Sequence, residues 1–229
     1  MAKKRVTRKQ LLKEPDEFIT YSNRMIRLGV AYKQQLMIAA GVFCAAVLVY
    51  AGLQYVSERS RTKALNLLGS AVVRYERALA QQGAKKALDE VAADFERILD
   101  QYGSNAGGRL ARVSFAQYNY AAGRADRAIA LYDAALEDFK EASLYRAIIT
   151  SGLGYAYTLK GDLTGAISYF EQVVSSGPVA GLKSDALFNL GLLYAQTGQK
   201  TKSVESFNRI RDEFPESFYA ELAGGQANL

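Results

Sequence analysis

Residues 153–178 read LGYAYTLKGDLTGAISYFEQVVSSGP, two amphipathic runs meeting at Gly161. The same residue types return in the same order twice more. One copy carries Phe115-Ala116, Asn119-Tyr120, Gly123-Arg124, Ala128-Ile129, Tyr132 and Ala135-Leu136; another carries Leu190-Gly191, Tyr194, Gly198-Gln199, Ser203, Phe207, Ile210 and Pro215. Glycines at 123, 161 and 198 set the period at 38 and then 37 residues. A recurring unit of that length with two helical runs is one helical hairpin of a solenoid. The fold class that follows is all-α.

Each position in the unit has a physical reason. A small residue midway along the first helix (Ala116, Gly154, Gly191) admits the second helix at close range, and the glycine seven residues on ends the first helix. The small residue opening the second helix (Ala128, Ala166, Ser203) faces the same gap. The aromatic four residues later (Tyr132, Phe170, Phe207) fills the space between neighbouring hairpins. Pro178 and Pro215 stop the second helix.

These residues resemble the tetratricopeptide repeat, with its Leu-Gly, Tyr, Gly, Ala, Phe, Ala and Pro at the same relative positions. The resemblance covers residues 108–220 as three repeats. It departs from the family in its longer spacing, the lack of tryptophan, and Asn119 where a tyrosine is usual. Residues 57–107 read as a linker helix and a degenerate fourth hairpin, with helices over about 60–82 and 85–101 joined at Gly83. The run Gly103-Ser104-Asn105-Ala106-Gly107-Gly108 looks flexible and marks a boundary, and residues 221–229 read as a C-terminal tail.

A second feature precedes the repeats. Every residue from 36 to 53 is apolar or glycine (LMIAAGVFCAAVLVYAGL), and Tyr55 and Val56 extend the run. At about 1.5 Å per residue, 36–56 reaches roughly 30 Å, the thickness of a bilayer core. The competing reading, a cleaved signal peptide, needs a shorter apolar core and a shorter leader than the 35 residues found here. Gly41, Ala45, Leu48 and Gly52 share one face of this single transmembrane helix, a surface small enough for a second membrane helix to approach. Residues 1–35 form a basic leader. Within it, Glu14-Pro15-Asp16-Glu17 reads as a helix start, and Phe18, Tyr21, Met25, Leu28 and Tyr32 recur on one face, as in a helix lying on the inner leaflet; the competing reading is a helix that runs straight into the span.

Charge divides with the same boundaries. Of 29 basic and 23 acidic residues, nine and three fall in residues 1–35, none in 36–56, and twenty of each sign in the remainder. The basic excess places the N-terminus in the cytoplasm and residues 57–229 on the far side of the membrane, the periplasm in a Gram-negative bacterium. The repeat region is electrically neutral, which argues against nucleic acid as a ligand.

The chain has no histidine and one cysteine, Cys44 in the apolar run. Histidine-dependent triads and the usual zinc sites are thereby excluded. No phosphate-binding loop is present, and Asp89, Glu90, Asp94 and Glu96 are spaced as a solvated helix face. No catalytic residue, metal, cofactor or small-molecule substrate is expected.

The anchor followed by a poor hairpin and three good ones resembles the YfgM-type tetratricopeptide proteins of the bacterial inner membrane. That resemblance implies a periplasmic repeat domain working beside the Sec translocon and periplasmic chaperones. In a solenoid of this kind the first helix of each pair lines a concave groove. Repeat geometry assigns Gln117, Tyr120, Ser151, Tyr155, Thr158, Asp185, Phe188 and Leu192 to it, an aromatic and weakly polar lining. The expected ligand is an extended or helical apolar segment of another protein; the competing reading is that these residues pack the C-terminal helix or a second copy. Two functions follow: an adaptor or chaperone-like helper for envelope and secreted proteins, or an accessory subunit of a large inner-membrane complex.

Overall fold

The structure is a computed structural model that describes residues 25–28, 30–141, 143–176 and 179–226. The acidic helix start at 14–17, Phe18, Tyr21 and Pro178 lie outside the described residues. Among the described residues every regular element is a helix: α1 (Lys33–Tyr102), α2 (Ala106–Ala121), α3 (Ala125–Asp138), α4 (Ser143–Lys160), α5 (Leu163–Ser175), α6 (Ala180–Gln196), α7 (Lys200–Glu213) and α8 (Phe218–Gln226).

The chain divides into two units, Met1–Val56 and Ser57–Leu229. In the first, residues 36–56 are helical and exposed at every position. This part of α1 is long and apolar enough to cross a membrane. Gly41 and Gly52 face open space, with no neighbouring atom where a β-carbon would stand.

In the second unit, α1 is broken at Gly83, whose φ of 80° and ψ of 166° suit only glycine. The arms 57–82 and 84–102 bury Ala64, Ala71, Tyr75 and Ala78 on one side of the break and Ala87, Leu88, Val91, Phe95 and Ile98 on the other. Most of these recur at steps of three, four or seven residues, the stripe of a core-facing helix. The hairpin joins the first repeat through aromatic rings. Tyr75 stacks on Tyr118 with centroids 3.6 Å apart, and Phe95 on Phe115 at 5.1 Å. The acidic face read as merely solvated is partly paired: Asp89 with Arg124, Glu96 with Arg127 and Asp94 with Arg74.

The helix pairs α2/α3, α4/α5 and α6/α7 each close with the same turn. Gly123, Gly161 and Gly198 have φ of 80°, 83° and 77°. After each, the next N–H returns to a carbonyl five residues back: Arg124 to Asn119 at 2.8 Å, Asp162 to Tyr157 at 3.0 Å and Gln199 to Tyr194 at 2.8 Å. A second bond from the glycine N–H completes the Schellman motif, which satisfies carbonyls the helix end would leave open. Ala128 and Ala166 are fully buried and Ser203 nearly so, and Ser203 donates its hydroxyl to the Gly191 carbonyl at 2.7 Å. Asn119, in the tyrosine position, is buried and donates to the Phe115 carbonyl at 2.8 Å.

Two segments differ from the sequence expectation. The glycine-rich run 103–108 is a packed joint. Asn105 caps α2 by accepting from the Gly108 N–H at 3.0 Å, and Gly107 and Gly108 are buried against Ala64 and Tyr102. Glycine serves here because backbone passes too close for a side chain. The C-terminal segment is also more than a tail, since α8 runs to Gln226 and buries Ala223 in a cluster with Leu187, Phe207 and Ile210.

Candidate protein-binding groove

The first helix of each pair, α2, α4 and α6, supplies the residues assigned to the groove. On α4, Ser151, Tyr155 and Thr158 follow one another at four- and three-residue steps; on α6, Asp185, Phe188 and Leu192 do so at three and four. Gln117 and Tyr120 stand on α2. Gln117, Thr158 and Leu192 are exposed, Tyr120, Tyr155 and Phe188 half-buried, and Ser151 and Asp185 buried. Thr158 turns its hydroxyl back to the Gly154 carbonyl at 2.9 Å.

Aromatic contacts run both between and within the repeats. The rings of Tyr120 and Tyr155 lie 6.0 Å apart, and Tyr155 meets Phe170 edge-on at 5.2 Å. Gly154 makes that approach possible: a β-carbon there would stand 2.8 Å from the Phe170 ring. Phe188 similarly meets Phe207 edge-on at 5.8 Å.

Asp185 is the polar centre of the lining. Tyr155 donates its hydroxyl to the Asp185 carboxylate, 2.6 Å from both oxygens, and Tyr219 donates to Oδ1 at 2.6 Å. Asn189 donates to the Tyr155 hydroxyl at 3.0 Å, to the Asp185 carbonyl at 2.9 Å and to Oδ1 at 3.3 Å. Burial, followed by the bond to Asp185, pushes the Tyr155 phenol far above its ordinary value. The bond to Asp185 is the leading cause that lifts Tyr219 to about 12. Tyr120 is raised too, first by burial and then by the Asp185 charge.

Tyr219 and Asn189 complete this cluster and are absent from the assigned lining. Asn189 was within reach of sequence reasoning, one helical turn beyond Asp185. Tyr219 was not, because it arrives on α8. Its ring lies 5.3 Å from Phe188, and Ser217 just before it donates to Ser184 Oγ at 2.9 Å. An open cavity of about 600 Å³ lies beside this helix end, lined by Ala180, Ser184, Phe214, Pro215, Phe218 and Tyr219 among others.

Gly41, Ala45, Leu48 and Gly52, on the apolar stretch of α1, stand apart from these residues in the sequence and are exposed. Among the described residues no group of three or more His, Cys, Asp or Glu side chains is arranged to hold a metal ion.

With the three like turns and the buried small-residue and aromatic positions in place, the comparison with known families is direct. Residues 113–181 match a tetratricopeptide repeat model, and residues 185–217 match a second one. In these two stretches the chain is similar to tetratricopeptide repeats. No curated protein matches the chain. Repeats of this family are modules that bind other proteins, and they are generally not enzymes.

Proposed function

We propose that this protein is a membrane-anchored adaptor, or chaperone-like helper, that holds segments of envelope or secreted proteins in its tetratricopeptide groove. The leader lies in the cytoplasm, residues 36–56 span the inner membrane once, and the repeat region works in the periplasm, beside the translocon. The carrying observation is the half-buried row Tyr120, Tyr155 and Phe188 on the first helices, flanked by exposed Gln117, Thr158 and Leu192. Aromatic rings partly open to solvent between weakly polar neighbours suit the apolar face of a peptide helix or extended segment. The neutral charge of residues 57–229 supports protein over nucleic acid, and the excess of basic residues in the leader supports the orientation.

The test is affinity purification from gently solubilised membranes, comparing wild type with a Thr158→Glu, Leu192→Glu variant. Both positions are exposed, so the fold should survive while two charges enter the apolar lining. The expected outcome is a varied set of envelope clients that the variant loses. Unchanged capture by the variant overturns the groove reading. A fixed-stoichiometry complex retained by the variant and lost on Gly41→Leu, Gly52→Leu substitution favours the accessory-subunit reading instead. The open face of Gly41 and Gly52 gives that alternative its footing.

A further inference from the structure

Asp185 is 9% exposed and, among the described residues, has no cation within ion-pair distance. Its neighbours are neutral donors: the Tyr155 and Tyr219 hydroxyls and the Asn189 amide. A buried carboxylate normally has an opposite charge beside it, because removing an ion from water is costly unless it is paired. Here neutral hydrogen-bond donors stand where that opposite charge would be. Tyrosine hydroxyls reach the carboxylate, and further rings pack behind them. Tyr155 and Tyr219 touch the carboxylate from α4 and α8, Tyr120 lies against Tyr155, and Phe188 against Tyr219. A buried carboxylate with no ion-pair partner is the chemistry that holds an ammonium or guanidinium group, through Coulomb attraction and charge-assisted hydrogen bonds.

The donors are unevenly shared. Oδ1 accepts from Tyr155, Tyr219 and Asn189, whereas Oδ2 has only the shared Tyr155 bond. A carboxylate has about four lone-pair sites, so acceptor capacity remains on Oδ2. Tyr219 is also the donor most easily withdrawn. Its helix α8 has nine residues, ends near Gly224-Gly225, and buries only Ala223.

Resting on the groove reading above, we infer that Asp185 and its tyrosines form a cation subsite in the groove, which selects segments carrying one lysine or arginine among apolar residues. In the free protein Tyr219 covers this subsite, and the ligand's cation takes over part of its role.

The test uses the full-length protein in lipid nanodiscs and a set of fluorescent amphipathic peptides, identical except for Lys, Arg, Gln or Glu at one central position. For wild type, the Lys and Arg peptides should bind about tenfold or more tightly than the Gln peptide, with Glu weaker still. Added salt should shrink this preference. Asp185→Asn should bring the ratio of Lys to Gln affinity to about one. Should that variant fail to fold, Tyr219→Phe provides the second measurement, since it removes the competing hydroxyl and leaves the charge. It should raise affinity for the Lys peptide by about threefold or more while changing the Gln peptide less. Equal binding of all four peptides by wild type overturns the cation subsite and leaves the groove reading intact. An equal fall for both peptides in Tyr219→Phe likewise overturns it. Failure of wild type to bind any peptide overturns the groove reading itself, and the subsite with it.

Discussion

The same substitution, glycine to alanine in a helix, should have opposite effects at Gly108 and Gly69. At Gly108 a β-carbon would stand 1.9 Å from the Tyr102 carbonyl oxygen, 2.4 Å from its carbon and 2.7 Å from the Gly103 Cα. Ordinary carbon contacts begin near about 3.5 Å. All three atoms are backbone, so none can rotate aside. The joint between α1 and α2 would have to open, breaking the Asn105 cap, whose loss alone costs about 1 kcal/mol. Overpacking of this kind costs about 1–3 kcal/mol, and the immovable backbone puts Gly108→Ala at the upper end, about 3 kcal/mol. For a domain of this size each kcal/mol moves the melting temperature by about 2–4 °C, giving a fall of about 6–12 °C. Gly69 is exposed in the helix interior with nothing near a new β-carbon. Alanine there gains about 0.8–1 kcal/mol of helix propensity, a rise of about 2–4 °C. Thermal melts of both variants in the same detergent, followed by circular dichroism, decide the matter. A Gly108→Ala protein melting at or above wild type would refute the reading of 103–108 as a packed joint.

Phe170 is fully buried beneath Gly154 and against Tyr155, so Phe170→Ala should cost about 3–5 kcal/mol, measured by denaturant titration; a loss under about 1 kcal/mol would contradict its place in the core. Gly161 has φ of 83° with open space around it, so Gly161→Ala should destabilise by about 1 kcal/mol through backbone strain alone, and Gly161→Asn by less. The Tyr219 phenol, raised to about 12 mainly by its bond to Asp185, contributes stability in full below its unfolded value near about 10 and loses it as pH rises through 12. Hydrogen exchange in α8 should therefore be slower in wild type than in Tyr219→Phe at neutral pH, with the gap closing above pH of about 10; a gap unchanged by alkali would break the link.

Where a position demanded something of the backbone, the fold was legible in the sequence. Gly123, Gly161 and Gly198 were readable as helix ends because their turn needs positive φ, and Gly83 as a break for the same reason. Glycine has a second use that looks identical in sequence. At 107 and 108 it makes room for backbone, and nothing local distinguishes that from flexibility, because the crowding atoms include Ala64, more than forty residues earlier. The ion pairs of Asp89 and Glu96 were hidden likewise: their spacing marks a helix face, while Arg124 and Arg127 arrive from another hairpin.

The proposed groove was half legible, and α8 is the reason. Period and hairpin geometry placed Tyr155, Asp185 and Phe188 on first helices, but not the cover that α8 brings to them. Isolated helices shorter than about 12 residues are marginal in water, so nine residues ending near two glycines must owe their order to docking. That docking includes Ala223 in the core with Ala220 against it, Ser217 on Ser184, and Tyr219 on Phe188 and Asp185. The Ser217 and Tyr219 contacts lie on α6, beside residues of the proposed groove. Folding of α8 and occupancy of the groove around Asp185 therefore draw on the same contacts. A ligand that engages Asp185 must either leave the Tyr219 bond in place or release α8, and release would appear as faster amide exchange in 218–226 on binding.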